Sequence, residues 1–102
     1  MHMSVDQIKL MLYMKDMFSD LIYINSVIAT EIIKITENLA ALRHGEDFLK
    51  KSACLQEHNN LNKDILNILN KYSKVSDEID RKKRLEKHIF ADLGDFKEDA
   101  SK

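Results

Sequence analysis

The stretch 5-VDQIKLMLYMKDMFSDLIYINSVIATEIIKITENLAAL-42 decides the fold. It contains neither Gly nor Pro. Read in alternating steps of three and four, its apolar residues fall in one seam: Met11, Met14, Phe18, Leu21, Asn25, Ile28, Ile32, Ile35, Leu39 and Leu42. Nine of these ten positions are apolar, a heptad kept for more than four repeats, and this predicts one long helix. Asn25, at an a-type position, is the exception. Its side chain either marks a break, with Ser26 after it, or is a buried polar group that fixes register and oligomer state at a cost in stability.

The ends of this helix are written in the sequence. Ser4 with Gln7 three residues on is a capping-box pattern, with Met3 and Ile8 at the staple positions. Asp6 in the first turn and Arg43 in the last suit the helix dipole, and Gly45 suits the C-terminal cap. The helix spans 5–43, roughly 58 Å at 1.5 Å per residue. Its apolar surface is wider than a two-stranded seam, since Leu10, Met17 and Ile24 flank one side and Ile22 and Ala29 the other. It is expected to contact at least two other helices.

Gly45-Glu46-Asp47 reads as a short turn with Asp47 capping the next helix, which implies an antiparallel hairpin. A second seam runs Leu61, Ile65, Ile68, Tyr72, Val75, Ile79. Beyond Ile79 the strict heptad would turn Lys82 and Glu86 inward, and it resumes only if shifted to Leu85, Ile89 and Leu93. That slip fits a stutter or a new helix capped by Ser73 or Ser76, with Asp77 and Glu78 in its first turn. His58-Asn59-Asn60 is a candidate break. The expected architecture is an all-α antiparallel bundle or long hairpin with coiled-coil-like packing, in three segments, 5–43, 48–72 and 76–93. Residues 1–4 read as an N-terminal tail and 95–102 as a polar C-terminal tail on a single domain, 1–102. A compact three- or four-helix bundle, broken near Asn25-Ser26 or Ser73-Ser76, is the competing arrangement.

Composition agrees. Proline is absent and glycine occurs twice, so turns are few; 44% hydrophobic with 32% charged residues argues against disorder. A net charge of −1 gives no overall field toward nucleic acid or membrane. One cysteine excludes an internal disulfide framework and suits a reducing cytoplasm, the expected location. No secretion signal is read at the start, where Met1-His2-Met3 resembles a cloning remnant, and no membrane span is expected.

Candidate chemistry is sparse. Cys54 and His58 share a helix face, half of a metal site, but no second ligand pair stands at helical spacing, so a half-buried thiol beside a surface imidazole is expected and no cofactor or metal is assigned. In Arg81-Lys82-Lys83-Arg84, acids stand four residues before three of the four bases: Asp77 before Arg81, Glu78 before Lys82 and Asp80 before Arg84. This reads as a solvated, self-neutralised face. Arg81 and His88 enclose six residues on a late helix. That spacing resembles the Arg-x4–6-His motif of the all-helical HEPN ribonucleases, although Lys82 stands where the family has a polar residue. The resemblance covers this segment alone and implies RNA binding or cleavage as the alternative function.

Met11, Met14 and Met17 form a soft patch that fills a core or adapts to a partner helix. The surplus apolar helix surface, without a convergent polar site, favours a non-enzymatic protein–protein interaction module: an assembly subunit, adaptor or small chaperone. Its architecture is analogous to small helical-hairpin export chaperones and coiled-coil tethering subunits. The residues expected to meet a partner or a second copy are Met11, Met14, Met17, Phe18, Leu21, Asn25, Ile28, Ile32 and Ile35.

Overall fold

A computed structural model describes residues 2–91. All regular structure among them is helical: α1 Val5–His44, α2 Glu46–Lys51, α3 Cys54–Lys71 and α4 Ser76–Ile89. α1 begins with the capping box expected of it. The Ser4 hydroxyl accepts from the Gln7 N–H at 3.1 Å, and the Ser4 N–H donates to the Gln7 side chain at 2.8 Å. The helix passes through Asn25 and Ser26 without a break. At 1.5 Å per residue it accounts for the 61 Å long axis of the molecule.

α1 stops at Gly45, whose N–H donates to the Ala41 carbonyl at 2.8 Å. With φ 88° and ψ 156°, Gly45 occupies backbone space that is nearly closed to residues with a Cβ. The same residue caps α2, so Asp47 is not the cap; it lies in the first turn with Glu46, where the dipole favours acids. The segment expected over 48–72 is divided. Ser52 is extended and its hydroxyl bonds the Leu49 carbonyl at 2.9 Å, which ends α2 locally. His58, Asn59 and Asn60 lie within α3 and break nothing. A fresh helix does start at Ser76, but its cap is not a serine. The Glu78 carboxylate folds back to accept the N–H groups of Lys74 at 3.0 Å and Val75 at 3.2 Å. Ser73 spends its hydroxyl on the Leu69 carbonyl at 2.6 Å. Leu93, expected in the shifted register of α4, and the tail 95–102 lie outside the described residues.

α3 runs antiparallel to α1, since His58 meets Glu37 at one end and Leu69 packs near Ile22 and Tyr23 at the other. α4 runs parallel to α1, with Glu78 at Ser19, Arg81 at Asp20 and His88 at Glu31. The three helices meet on Leu66, Leu69 and Leu85, which are 7%, 4% and 3% exposed, with Ile22, Tyr23, Val27, Ile89 and Phe90 around them. Leu85 confirms the shifted register after Ile79.

The inward face of α1 is not the heptad seam. Its buried residues are Ser26 and Thr30, whose hydroxyls bond the carbonyls of Ile22 at 2.7 Å and Ser26 at 2.9 Å. These short side chains let neighbouring helices approach closely, and the back-bonds leave no hydroxyl unpaired. Residues 5–18 extend about 20 Å past the start of the bundle, with every side chain exposed.

Gly45→Ala is expected to cost about 1–3 kcal/mol. Nothing lies within 4 Å of the added Cβ, so the penalty is backbone strain alone. A denaturant midpoint equal to wild type would refute that account.

Candidate interaction face

The seam residues begin one helical step away from the residues that face the bundle. On α1 the burial pattern runs through Ser19, Ile22, Ser26, Thr30, Ile33 and Glu37. The seam beside it lies open: its nine apolar members are between 42% and 85% exposed. Asn25 is exposed among them. The second seam shows the same offset. Leu61, Ile68 and Tyr72 are exposed, whereas Asn62, Leu66, Leu69 and Ser73, each one to the C-terminal side of a seam position, turn inward.

Helix geometry sets where these two strips lie. In an antiparallel pair, an offset of the same sign from the contact line falls on the same side of both helices, as g faces g′. The seams of α1 and α3 therefore flank one groove on the outer surface, away from α4. The expected antiparallel neighbour is present, but it does not lie on the α1 seam. It packs on the neighbouring stripe, where Ser26 and Thr30 are the buried members, and this is why the seam is left bare. Met11, Met14, Met17, Phe18, Leu21, Asn25, Ile28, Ile32 and Ile35 share one continuous face of one helix. Met17 and Ile24 widen it along one edge.

The polar groups are engaged between helices. Ser19 donates to the Glu78 carboxylate and accepts from Arg81 Nη2 at 3.2 Å. Arg81 Nη1 reaches Asp20 Oδ1 at 2.8 Å, and its guanidinium lies 4.8 Å from the Tyr23 ring centroid. The expected pairs of Asp77 with Arg81 and Glu78 with Lys82 are thus replaced. Glu78 is drawn to the α4 N-terminus and Ser19, Arg81 to α1, and Lys82 to Glu86 at 2.9 Å. Nothing in the sequence reading had tied Arg81 to α1; Asp20 and Tyr23, three apart on one helix face, were the available signal.

Arg81 and His88 are both held by α1 carboxylates, but at different points. His88 meets Glu31 at 2.5 Å, two turns or about 10 Å further along the axis from Arg81. Cys54 Sγ lies 3.4 Å from His58 Nε2, and His58 Nδ1 lies 3.0 Å from Glu37 Oε1. The imidazole is therefore not a surface group, since its side chain is 15% exposed and locks α3 to α1. No cluster of three His, Cys, Asp or Glu among the described residues is placed to hold a metal ion. A cleft of about 410 Å³ opens between α1, α3 and α4, lined by Thr30, Ile33, Lys34, Glu37, Leu55, Asn59, Asn62 and Phe90 among others. The Asn62 Oδ1 atom is buried there without a hydrogen-bond partner. No helix among the described residues is long and apolar enough to cross a membrane.

No family model matches the sequence, and no curated protein or solved structure matches the chain.

The Ser19 hydroxyl, and then the Lys74 and Val75 N–H groups, hold the Glu78 carboxyl at about 2, below its usual 4.5. A depressed carboxyl stabilises the fold fully above its unfolded value, and that contribution fades as pH falls toward the folded value. Glu78→Gln is therefore expected to melt below wild type at pH 7, and the two curves are expected to converge between pH 4.5 and pH 2. Parallel curves over that window would show that the carboxylate is not the group responsible.

Proposed function

We propose that this chain is a non-enzymatic helical interaction module, an assembly subunit, adaptor or small chaperone, and that it works by docking a helix on the α1 seam. The observation that carries this reading is the bare seam. The longest and most regular apolar stripe in the sequence is left to solvent, while a stripe containing Ser26 and Thr30 is buried. Taking each half-exposed large side chain at about 90 Å², the nine seam residues offer on the order of 800 Å² of apolar surface. The largest apolar patch on a typical monomer is roughly 300–600 Å². Covering this strip is a large favourable term, and a helix is the shape that fits a straight seam with heptad spacing.

The polar groups support the same reading. His58, Arg81 and His88 are each tied to a carboxylate of α1, where they orient one helix on another. The ribonuclease-like alternative needs Arg81 and His88 to converge on one phosphate, and they engage separate partners about 10 Å apart along α4.

A photo-activated benzophenone side chain placed at Ile32 is expected to form a discrete protein adduct in cells, and the same group at Lys63, an exposed polar position on α3, is not. Ile28→Asp should abolish the Ile32 adduct while changing the stability of the isolated chain by no more than about 0.5 kcal/mol, because Ile28 is half exposed there. Absence of any Ile32 adduct would remove the docking reading.

A further inference from the structure

Resting on that docking reading, we infer that the helix received by the seam is α1 of a second copy of this chain. It lies parallel and in register about a two-fold axis along the helices, so that the two Asn25 side chains meet.

Three observations carry this. The first is area. A specific interface buries about 800 Å² on each partner, and the α1 seam alone offers a surface of that order before the strip on α3 is added.

The second is Asn25. It lies between Leu21 and Ile28, so whatever covers the seam also covers an amide. A buried amide without a hydrogen-bond partner costs roughly 1–3 kcal/mol by protein mutational data. A parallel, in-register copy supplies a second amide at the same level by symmetry, and a single Asn at an a position is a known device for fixing register. An antiparallel copy that pairs the whole seam would set Asn25 against Ile28 instead.

The third is the position of the α3 strip. Leu61, Ile68 and Tyr72 border the same groove as the α1 seam. With the axis along the helices, α1 of each copy touches both α1 and α3 of the other, and the two α3 helices lie on opposite sides. A two-fold axis perpendicular to the helices would set α3 against α3 instead, so the α3 strip enlarges the interface in either arrangement and Asn25 decides between them.

Charge presents no obstacle. In the parallel register the charged flanking positions meet neutral ones: Lys15 faces Leu10, Glu31 faces Thr36 and Arg43 faces Asn38. Each chain carries a net charge of only −1, so the copies do not repel at long range.

The test uses the full chain, with mass measured by light scattering from 1 to 100 µM. A dimer is expected. Asn25→Asp should weaken it at least tenfold at pH 7 by opposing two carboxylates, and should recover at pH 4, where the pair shares protons. Asn25 is exposed in the single chain, so this variant keeps its helix content by circular dichroism. A nitroxide at Lys9→Cys in a Cys54→Ser background should report about 20–30 Å between copies, against about 50 Å for the antiparallel pairing. A wild-type monomer at 100 µM, an assembly larger than a dimer, the longer distance, or an Asn25→Asp dimer as tight as wild type would each overturn the inference. A monomer whose Ile32 probe still captures a different protein would overturn self-pairing and leave the docking reading in place. A monomer with no adduct would remove both.

Discussion

Three leucines hold three helices together. Leu66 and Leu69 from α3 and Leu85 from α4 close on a face of α1 whose buried residues are Ser26 and Thr30. That choice of face governs the rest of the molecule. A helix turns about 100° per residue, so it cannot give both its small-residue stripe and its apolar seam to the same neighbours. Packing on Ser26 and Thr30 brings the backbones close and satisfies both hydroxyls through the carbonyls four residues back. It also leaves Leu21, Ile28, Ile32 and Ile35 on the outside. Much of the apolar area of the chain is thus withheld from its own core.

Interhelical polar contacts compensate for the thin core. The Ser19, Asp20 and Tyr23 cluster fixes the start of α4, Glu31 holds its end through His88, and Glu37 holds the start of α3 through His58. These contacts set axial register, which a core of three leucines specifies weakly. They also explain why the basic run on α4 is not a uniform cationic face. Arg81 turns to α1 and Lys82 to Glu86, so the run is divided between structural duties and solvent.

The period of the seam made the helical class legible, and Ser4, Gln7 and Gly45 made the limits of α1 legible, because caps depend on a few residues in a fixed local frame. The shifted register through Leu85 was readable for the same reason: an apolar residue at a polar phase demands a new helix axis. Which face α3 would cover was not readable. Hydrophobic periodicity identifies a stripe that favours burial, but says nothing about whether the same chain buries it. The stripe through Ile22, Ser26, Thr30 and Ile33 mixes apolar and hydroxyl residues and carries a weaker hydrophobic signal than the seam, and its capacity for close packing shows only when a neighbour is in place. The break at Ser52 was hidden likewise, since one back-bonded hydroxyl ended α2 in a region with adequate helix formers on both sides. Of the candidate site, the membership of Met11 to Ile35 in one face followed from the sequence, while its openness to solvent required the structure.

The N-terminal turns of α1 join the packing to the docking face. Residues 5–18 are exposed at every position, and a helical segment of that length is marginal in water when isolated. Two things sustain it: the capping box at Ser4 and its continuity with the part of α1 that the bundle holds. Its apolar residues point several ways. Met11, Met14 and Phe18 continue the seam, and Ile8 and Leu12 continue the stripe that faces the core further along. A helix apolar around much of its girth is stable in water only when surrounded. A docked helix lying along the seam from Leu42 toward Met11 would therefore order the first four turns as well as cover the middle of α1. The binding energy would be divided between burying the seam and holding that extension helical. Under this arrangement the capping box lowers the ordering cost before any partner arrives, so the sequence features at Ser4 and Gln7 bear on affinity as well as on the helix end.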